Sequence, residues 1–162
     1  DAAWLVRFAF LTAFKTTELA ILELLCSGAS VSESLRVQSP VARFGRVAVD
    51  DLELGGVTIP RGARVILSFA GANHDPRIFA SPRAHLERAR AHTFAFGGGA
   101  HACIGVAPAY AILDAVHEAA AAIGPLVVVE RDLLRSHVNR AARRVTVRWR
   151  GGGASSGDGP SG

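Results

Sequence analysis

The residues that most constrain this chain run from Phe94 to Gly105, FAFGGGAHACIG, directly ahead of an apolar run that reads as a helix. Cys103 is one of only two cysteines and sits in a glycine-rich loop at the mouth of that helix. A helix N-terminus places partial positive charge near the sulfur. Gly97, Gly98, Gly99 and Gly105 let backbone N–H groups turn inward, where a sulfur anion accepts them. A single supported thiolate suits a soft metal centre with one protein ligand. The competing readings are a glycine-rich turn around an inert cysteine and a dinucleotide loop over Gly97, Gly99 and Ala102. The second needs a preceding strand and an acidic residue on a following strand, whereas the segment after the loop keeps reading as helix.

The spacing is Phe96, Gly97, Gly99, His101, Cys103, Gly105. It resembles the heme-binding signature of the cytochrome P-450 family at every defined position, and heme iron is the metal centre this implies.

Bulk properties set the frame. The 162 residues suffice for one domain with a core, and 49% are apolar, which excludes a disordered chain. Lys15 is the only lysine among 18 basic residues, and the formal charge is +4. The arginines are spread along the chain without a dense run, so nucleic-acid binding is not expected. Arg83, Arg88 and Arg90 form a short basic cluster that reads as solvated surface or internal pairing. Cys26 and Cys103 form neither a disulfide framework nor a CxxC pair. The longest apolar stretch carries Arg7, Lys15, Glu18 and Glu23, too many charges for a membrane span. No signal peptide pattern is present, and a cytoplasmic location is expected. With no methionine and a start inside a helical pattern, the chain reads as a fragment.

In order, Ala2 to Leu25 predicts one long helix of roughly 36 Å, apolar on nearly all sides and so expected to be buried through a domain. Cys26 closes it as a packed small residue. A second helix opens with a capping box, Ser30 as N-cap and Glu33 at its third position, and ends at Pro40. Glu33 and Arg36 share a face and can pair. From Arg43 the period changes to two. Strands are predicted at Arg43–Val49, Leu52–Leu54, Val57–Ile59 and Ala63–Phe69, with Gly55-Gly56 as a tight hairpin. Ala70 to Arg90 reads as irregular. Val106 to Ile123 predicts a helix closed by Gly124 and Pro125, and Leu126–Val129 and Val145–Trp149 a last β unit. The fold class is α+β, mainly helical. Residues 1–150 form one domain and 151–162 a flexible Gly/Ser tail.

Against this map the resemblance spreads from about residue 10 to 150. Glu33-Ser34-Leu35-Arg36 resembles the family's ExxR. Glu53 to Gly62 resembles the hairpin of bacterial members, and Ala72-Asn73-His74-Asp75-Pro76 their ANRDP stretch. The likeness implies the C-terminal portion of a cytochrome P-450 that binds heme b, with Cys103 as iron ligand. It implies Arg46 and His101 at the propionates, Phe96 shielding the sulfur beside Gly97 and Gly105, and Glu33, Arg36 and Arg88 as a structural triad. Thr16, with Thr17 beside it, matches the hydroxyl that supports proton delivery, and Val41, Ala42, Val138 and Asn139 match pocket positions. The implied activity is monooxygenation of a small organic substrate, with a ferredoxin or flavoprotein reductase as electron donor. Alternatives are a peroxidase-like or sensor heme protein and a non-catalytic remnant. The chain departs from the pattern at Lys15, where the family has an acid, at Ala13 and Phe14, and at Tyr110, where it has arginine. Only seventeen positions separate Thr16 from Glu33, too few for the usual intervening helix.

Overall fold

The computed structural model describes residues 2–84, 93–124, 126–135 and 140–149. Helix α1, Ala2–Ser27, fulfils the first helical expectation, since no Gly or Pro interrupts it. Its burial differs from the expectation. Only its C-terminal part enters the core, through Leu19, Ala20, Glu23 and Leu24. Residues 2–15 are exposed, with Trp4 stacked on Phe8 and Phe10 on Phe14 along the helix.

Helix α2, Val31–Val37, follows with Ser30 as N-cap, but the predicted capping box does not form. The Ser30 side chain makes no cap bond, and its buried hydroxyl has no hydrogen-bond partner. Glu33 turns instead to Arg36. The Arg36 guanidinium offers the carboxylate a cationic two-donor fork in place of one backbone N–H, so the carboxylate leaves the box.

Two small antiparallel sheets come next. Strands β1, Arg43–Val47, and β4, Arg64–Ser68, pair with Gly45 opposite Ile66. Strands β2, Leu52–Leu54, and β3, Val57–Ile59, form the expected hairpin. Gly55 and Gly56 both take positive φ, 59° and 78°, as a tight two-residue turn requires. The stretch expected to be irregular begins with a short helix α3, Phe69–Asn73, where the Ser68 hydroxyl accepts from the Gly71 N–H at 3.0 Å. Two single 3-10 turns, Phe94–Phe96 and Gly99–His101, lead into helix α4, Val106–Ile123, which ends at Gly124 as expected. By length and composition α4 is apolar enough to cross a bilayer. It meets the core along one edge, where Leu113, only 2% exposed, packs with Ala20, Leu24, Val31 and Leu35, and the rest of the helix is largely exposed or half-buried.

The last hairpin, β5 Leu126–Arg135 and β6 Arg140–Trp149, is longer than the apolar segments alone indicate. Charged residues from Glu130 to Asp132 continue the ladder, because strand pairing tolerates a solvated face. The buried carboxylate of Glu23 on α1 accepts from Arg131 on β5 and ties this hairpin to the core. Burial raises the Glu23 carboxyl above its ordinary 4.5, and Arg131 opposes the shift without cancelling it. The folded state therefore holds this proton more tightly than the unfolded chain. Its contribution to stability is present below the ordinary value and is lost as pH rises through the raised one. Glu23→Gln should flatten the fall of the denaturant midpoint as pH rises above the ordinary 4.5, relative to the unaltered chain.

Residues 85–92, Pro125, 136–139 and 150–162 lie outside the described residues. Arg88, Arg90, Val138, Asn139 and the Gly/Ser tail fall there.

Candidate functional site

The site is built on one buried cation. Arg36 is 1% exposed, on the inner face of α2. Its Nε and Nη2 donate to the two carboxylate oxygens of Glu33 at 3.0 and 2.5 Å. Nη1 donates to the carbonyls of Asn73 at 2.7 Å and Pro82 at 2.9 Å, and Nη2 also donates to that of Ala84 at 3.1 Å. A guanidinium has five N–H donors, and each has an acceptor here. The Phe79 ring lies 4.8 Å from its central carbon and closes the face. This pairing makes the interior tolerable for a charge that would otherwise stay in water. It also pins three backbone positions between 73 and 84 to α2. The expected pairing of Glu33 and Arg36 forms, and both partners are buried.

Asn73 carries the bracing onward. It is fully buried, with the side-chain Nδ2 donating to Ser39 Oγ at 2.8 Å. Ser39 Oγ in turn donates to the Leu35 carbonyl at 2.9 Å. The Asn73 Oδ1 accepts from the Phe94 N–H at 2.8 Å and from Thr93 Oγ1 at 3.3 Å. One amide thus joins α2 to the first residues of the cysteine loop. The sequence reading gave Asn73 no role, although the stretch Ala72 to Pro76 was singled out. An asparagine at a helix end is ordinary, and only the fold brings Phe94 to it.

The loop itself is held by short backbone bonds. Gly97 N–H donates to Phe94 O at 3.0 Å, Ala102 N–H to Gly99 O at 3.1 Å, and Cys103 N–H to Phe96 O at 2.9 Å. The exposed Cys103 sulfur accepts the Gly105 N–H at 3.3 Å. Phe96 packs inward against Tyr110 of α4, centroids 5.5 Å apart, and both rest on the core. Tyr110, where the resemblance placed an arginine, therefore serves as an anchor for the loop.

Gly97 and Gly99 have φ of 68° and 70°. At Gly97, with ψ of −156°, the backbone region is open essentially to glycine alone. Gly97→Ala should cost about 1–3 kcal/mol of stability by chemical denaturation. Its new methyl would meet Phe69 no closer than 3.6 Å, so the cost is conformational and not steric. Gly98 has φ of −165°, extended backbone that any residue adopts, and Gly98→Ala should cost under about 1 kcal/mol.

The remaining expected site residues are on other elements and are engaged locally. Arg46, exposed on β1, lies over the Phe44 ring at 4.5 Å and donates to Gly45 O at 3.0 Å. His101 is exposed at the end of the second 3-10 turn. Thr16 on α1 donates its hydroxyl to Thr12 O at 2.7 Å, and Thr17 is half-buried beside it. Lys15 pairs with Glu18 at 2.8 Å, so the lysine at the family's acidic position carries a carboxylate with it. Val41 is half-buried and Ala42 buried at the entry to β1. Cys26 is half-buried and lines a separate cleft with His117, between the C-terminal ends of α1 and α4. Burial raises its thiol pKa, Arg131 opposes and Glu23 adds to the rise, as befits a packing residue.

These residues fit a heme. Among the described residues no three of His, Cys, Asp or Glu gather to chelate an ion. A lone exposed sulfur then suits a cofactor that brings its other ligands with it. A Cβ built at Gly99 would meet nothing within 4 Å, so the loop surface is open at that position.

The family model for cytochrome P450 matches residues 15–115, well over half of the chain, and takes in α1 from Lys15 onward, α2 and the whole cysteine loop. The chain belongs to the cytochrome P450 family. Among its relatives, a steroid C26-monooxygenase of Mycolicibacterium smegmatis is 42% identical over 78 residues, 47% of this chain and 18% of that protein. A putative cytochrome P450 of Mycobacterium tuberculosis is 45% identical over 84 residues, 51% of this chain and 19% of that one. A ligand-bound cytochrome P450 from Picrophilus torridus superimposes with a TM-score of 0.81 at 21% identity, over 88% of this chain and 48% of that one. A Bacillus subtilis cytochrome P450 gives 0.78 at 23%, over 86% and 44%. The fold is thus that of a cytochrome P450 in part. The chain spans about a fifth of the length of the curated relatives it matches.

Proposed function

We propose that the cytochrome P450 to which these residues belong is a heme-thiolate monooxygenase acting on a small apolar organic molecule, with Cys103 as the residue that would hold the iron of heme b. The observation that carries this is the exposed Cys103 sulfur, held by the Gly105 N–H in a loop of positive-φ glycines. Bound heme supplies the reductive activation of dioxygen.

The chain's own residues do the holding. Cys103 presents its sulfur at the loop surface, and the amide of Gly105 favours its anionic form there. Phe96, wedged on Tyr110, keeps the back of the loop dry. His101 and Arg46 are exposed donors suited to the two propionates; Arg46 would have to leave the Phe44 ring and the Gly45 carbonyl. Thr16, with Thr17 beside it, holds the proton-handling hydroxyl on α1, at present turned to its own helix. By the family pattern Val41, Ala42, Val138 and Asn139 would face the substrate, and Arg88 would join Glu33 and Arg36. The electron donor is a ferredoxin or flavoprotein reductase that meets the cysteine face, and the protein works in the cytoplasm.

The Lys15–Glu18 pair favours a second reading, a peroxide-using heme protein, because it puts an ion pair where the family has a lone acid. Turnover of an apolar substrate by the heme-loaded protein with O₂ and a reductase supports the first reading. Turnover with hydrogen peroxide alone would sink it in favour of the second.

A further inference from the structure

We infer that Asn73 is a positioning residue for the cysteine loop, the link through which the buried Glu33–Arg36 pair sets where the Cys103 sulfur stands. The inference rests on the heme-thiolate reading for its functional meaning, but its geometry does not depend on that reading. Arg36 and Glu33 lie on α2, and among the described residues Arg36 reaches toward the loop through residue 73. There the backbone carbonyl takes the Arg36 Nη1–H at 2.7 Å, which fixes the main chain of Asn73. Ser39 fixes the amide group by accepting from Nδ2 at 2.8 Å. With both ends set, Oδ1 has one place to be, and it accepts the Phe94 N–H at 2.8 Å. Phe94 opens the turn whose last residue, Phe96, takes the Cys103 N–H at 2.9 Å. The path from the buried cation to the sulfur-bearing residue is therefore continuous.

The side-chain type is also constrained. Asparagine offers a donor on one arm and an acceptor on the other, which is what Ser39 Oγ and Phe94 N–H need. Ser39 Oγ already donates its hydrogen to Leu35 O, so it can only accept from Asn73. Aspartate keeps the acceptor toward the loop and loses the donor; alanine loses both. An amide N–H left unpaired in the interior opens more often, and its exchange with solvent deuterium rises in proportion.

The test is hydrogen exchange on the full chain without heme, comparing the peptide over 93–105 with that over 19–37. Asn73→Ala should speed exchange of the loop peptide by about tenfold while the 19–37 peptide stays within about twofold. Asn73→Asp should hold the loop within about threefold, since the acceptor remains. An unchanged loop in Asn73→Ala, or equal acceleration of both peptides, overturns the inference. If Asn73→Ala does not fold, Ser39→Ala takes its place. It should release the loop alone by about two- to fivefold, and a loop that exchanges as in the unaltered chain overturns the inference. A second arm loads the variants with hemin, reduces them and adds CO. Asn73→Ala should shift part of the Soret band away from the thiolate type, and Asn73→Asp should restore it. Failure of the unaltered chain to give a thiolate band speaks against the heme reading alone, since the exchange arm stands without it.

Discussion

Glu33→Ala should destabilise the chain by about 3–5 kcal/mol, read as a fall in the urea midpoint at unchanged slope. The magnitude follows from what is left behind. Arg36 is 1% exposed, and without Glu33 its charge has no counter-ion among the described residues. Its Nε and one hydrogen of Nη2 lose their acceptors. Arg36→Ala should cost as much for the opposite reason. It takes two donors from the Glu33 carboxylate, 3% exposed, and frees the carbonyls of Asn73, Pro82 and Ala84. Glu33→Gln should cost less, about 1–3 kcal/mol, because the amide keeps an acceptor and the shape while losing the charge. A loss under about 1 kcal/mol in Glu33→Ala would mean that the pair is not desolvated as the structure has it.

This pair also shows what the sequence could and could not disclose. The spacing of Glu33 and Arg36 put them on one helix face, and the motif marked them as a brace. Nothing local distinguished a buried pair from a surface one, since burial is decided by Phe79, Asn73 and Pro82, which lie far along the chain. The same spacing suggested a capping box at Ser30, and the long-range pairing of Glu33 prevented it. The helices at Ala2–Ser27 and Val106–Ile123 and the Gly55-Gly56 hairpin were legible because each is set by contiguous pattern and local backbone chemistry. The exposed first half of α1 was not, because an all-apolar helix looks buried until the neighbouring elements are counted. Asn73 was invisible as a functional residue for a related reason. Its partners Ser39 and Phe94 are far away in sequence and meet it only after the sheets and turns are laid down.

Cys103→Ala should weaken hemin binding to the chain by more than about 100-fold, because changes around a metal ligand alone cost about 10–100-fold and this one removes the ligand. Cys26→Ala is the paired control and should leave the affinity unchanged. Cys26 is half-buried at the end of α1 and lines a cleft with His117 and Leu126, away from the loop. An optical titration of each variant separates them. The glycines add a graded check, since Gly97→Ala disturbs the turn that positions Cys103 without touching the sulfur. Its hemin affinity should fall between those of the unaltered chain and Cys103→Ala. Equal hemin binding in all four proteins would show that hemin adheres to exposed apolar surface such as the first half of α1, where Trp4, Phe8, Phe10 and Phe14 are open.

The most direct test of the central claim, that this loop is built to present a thiolate to heme iron, is the spectrum of the hemin-loaded chain after reduction and addition of CO. A thiolate-type Soret band that is present in the unaltered chain and in Cys26→Ala, and absent in Cys103→Ala, is the result expected. A band of the neutral-ligand type that is the same in all three would contradict it.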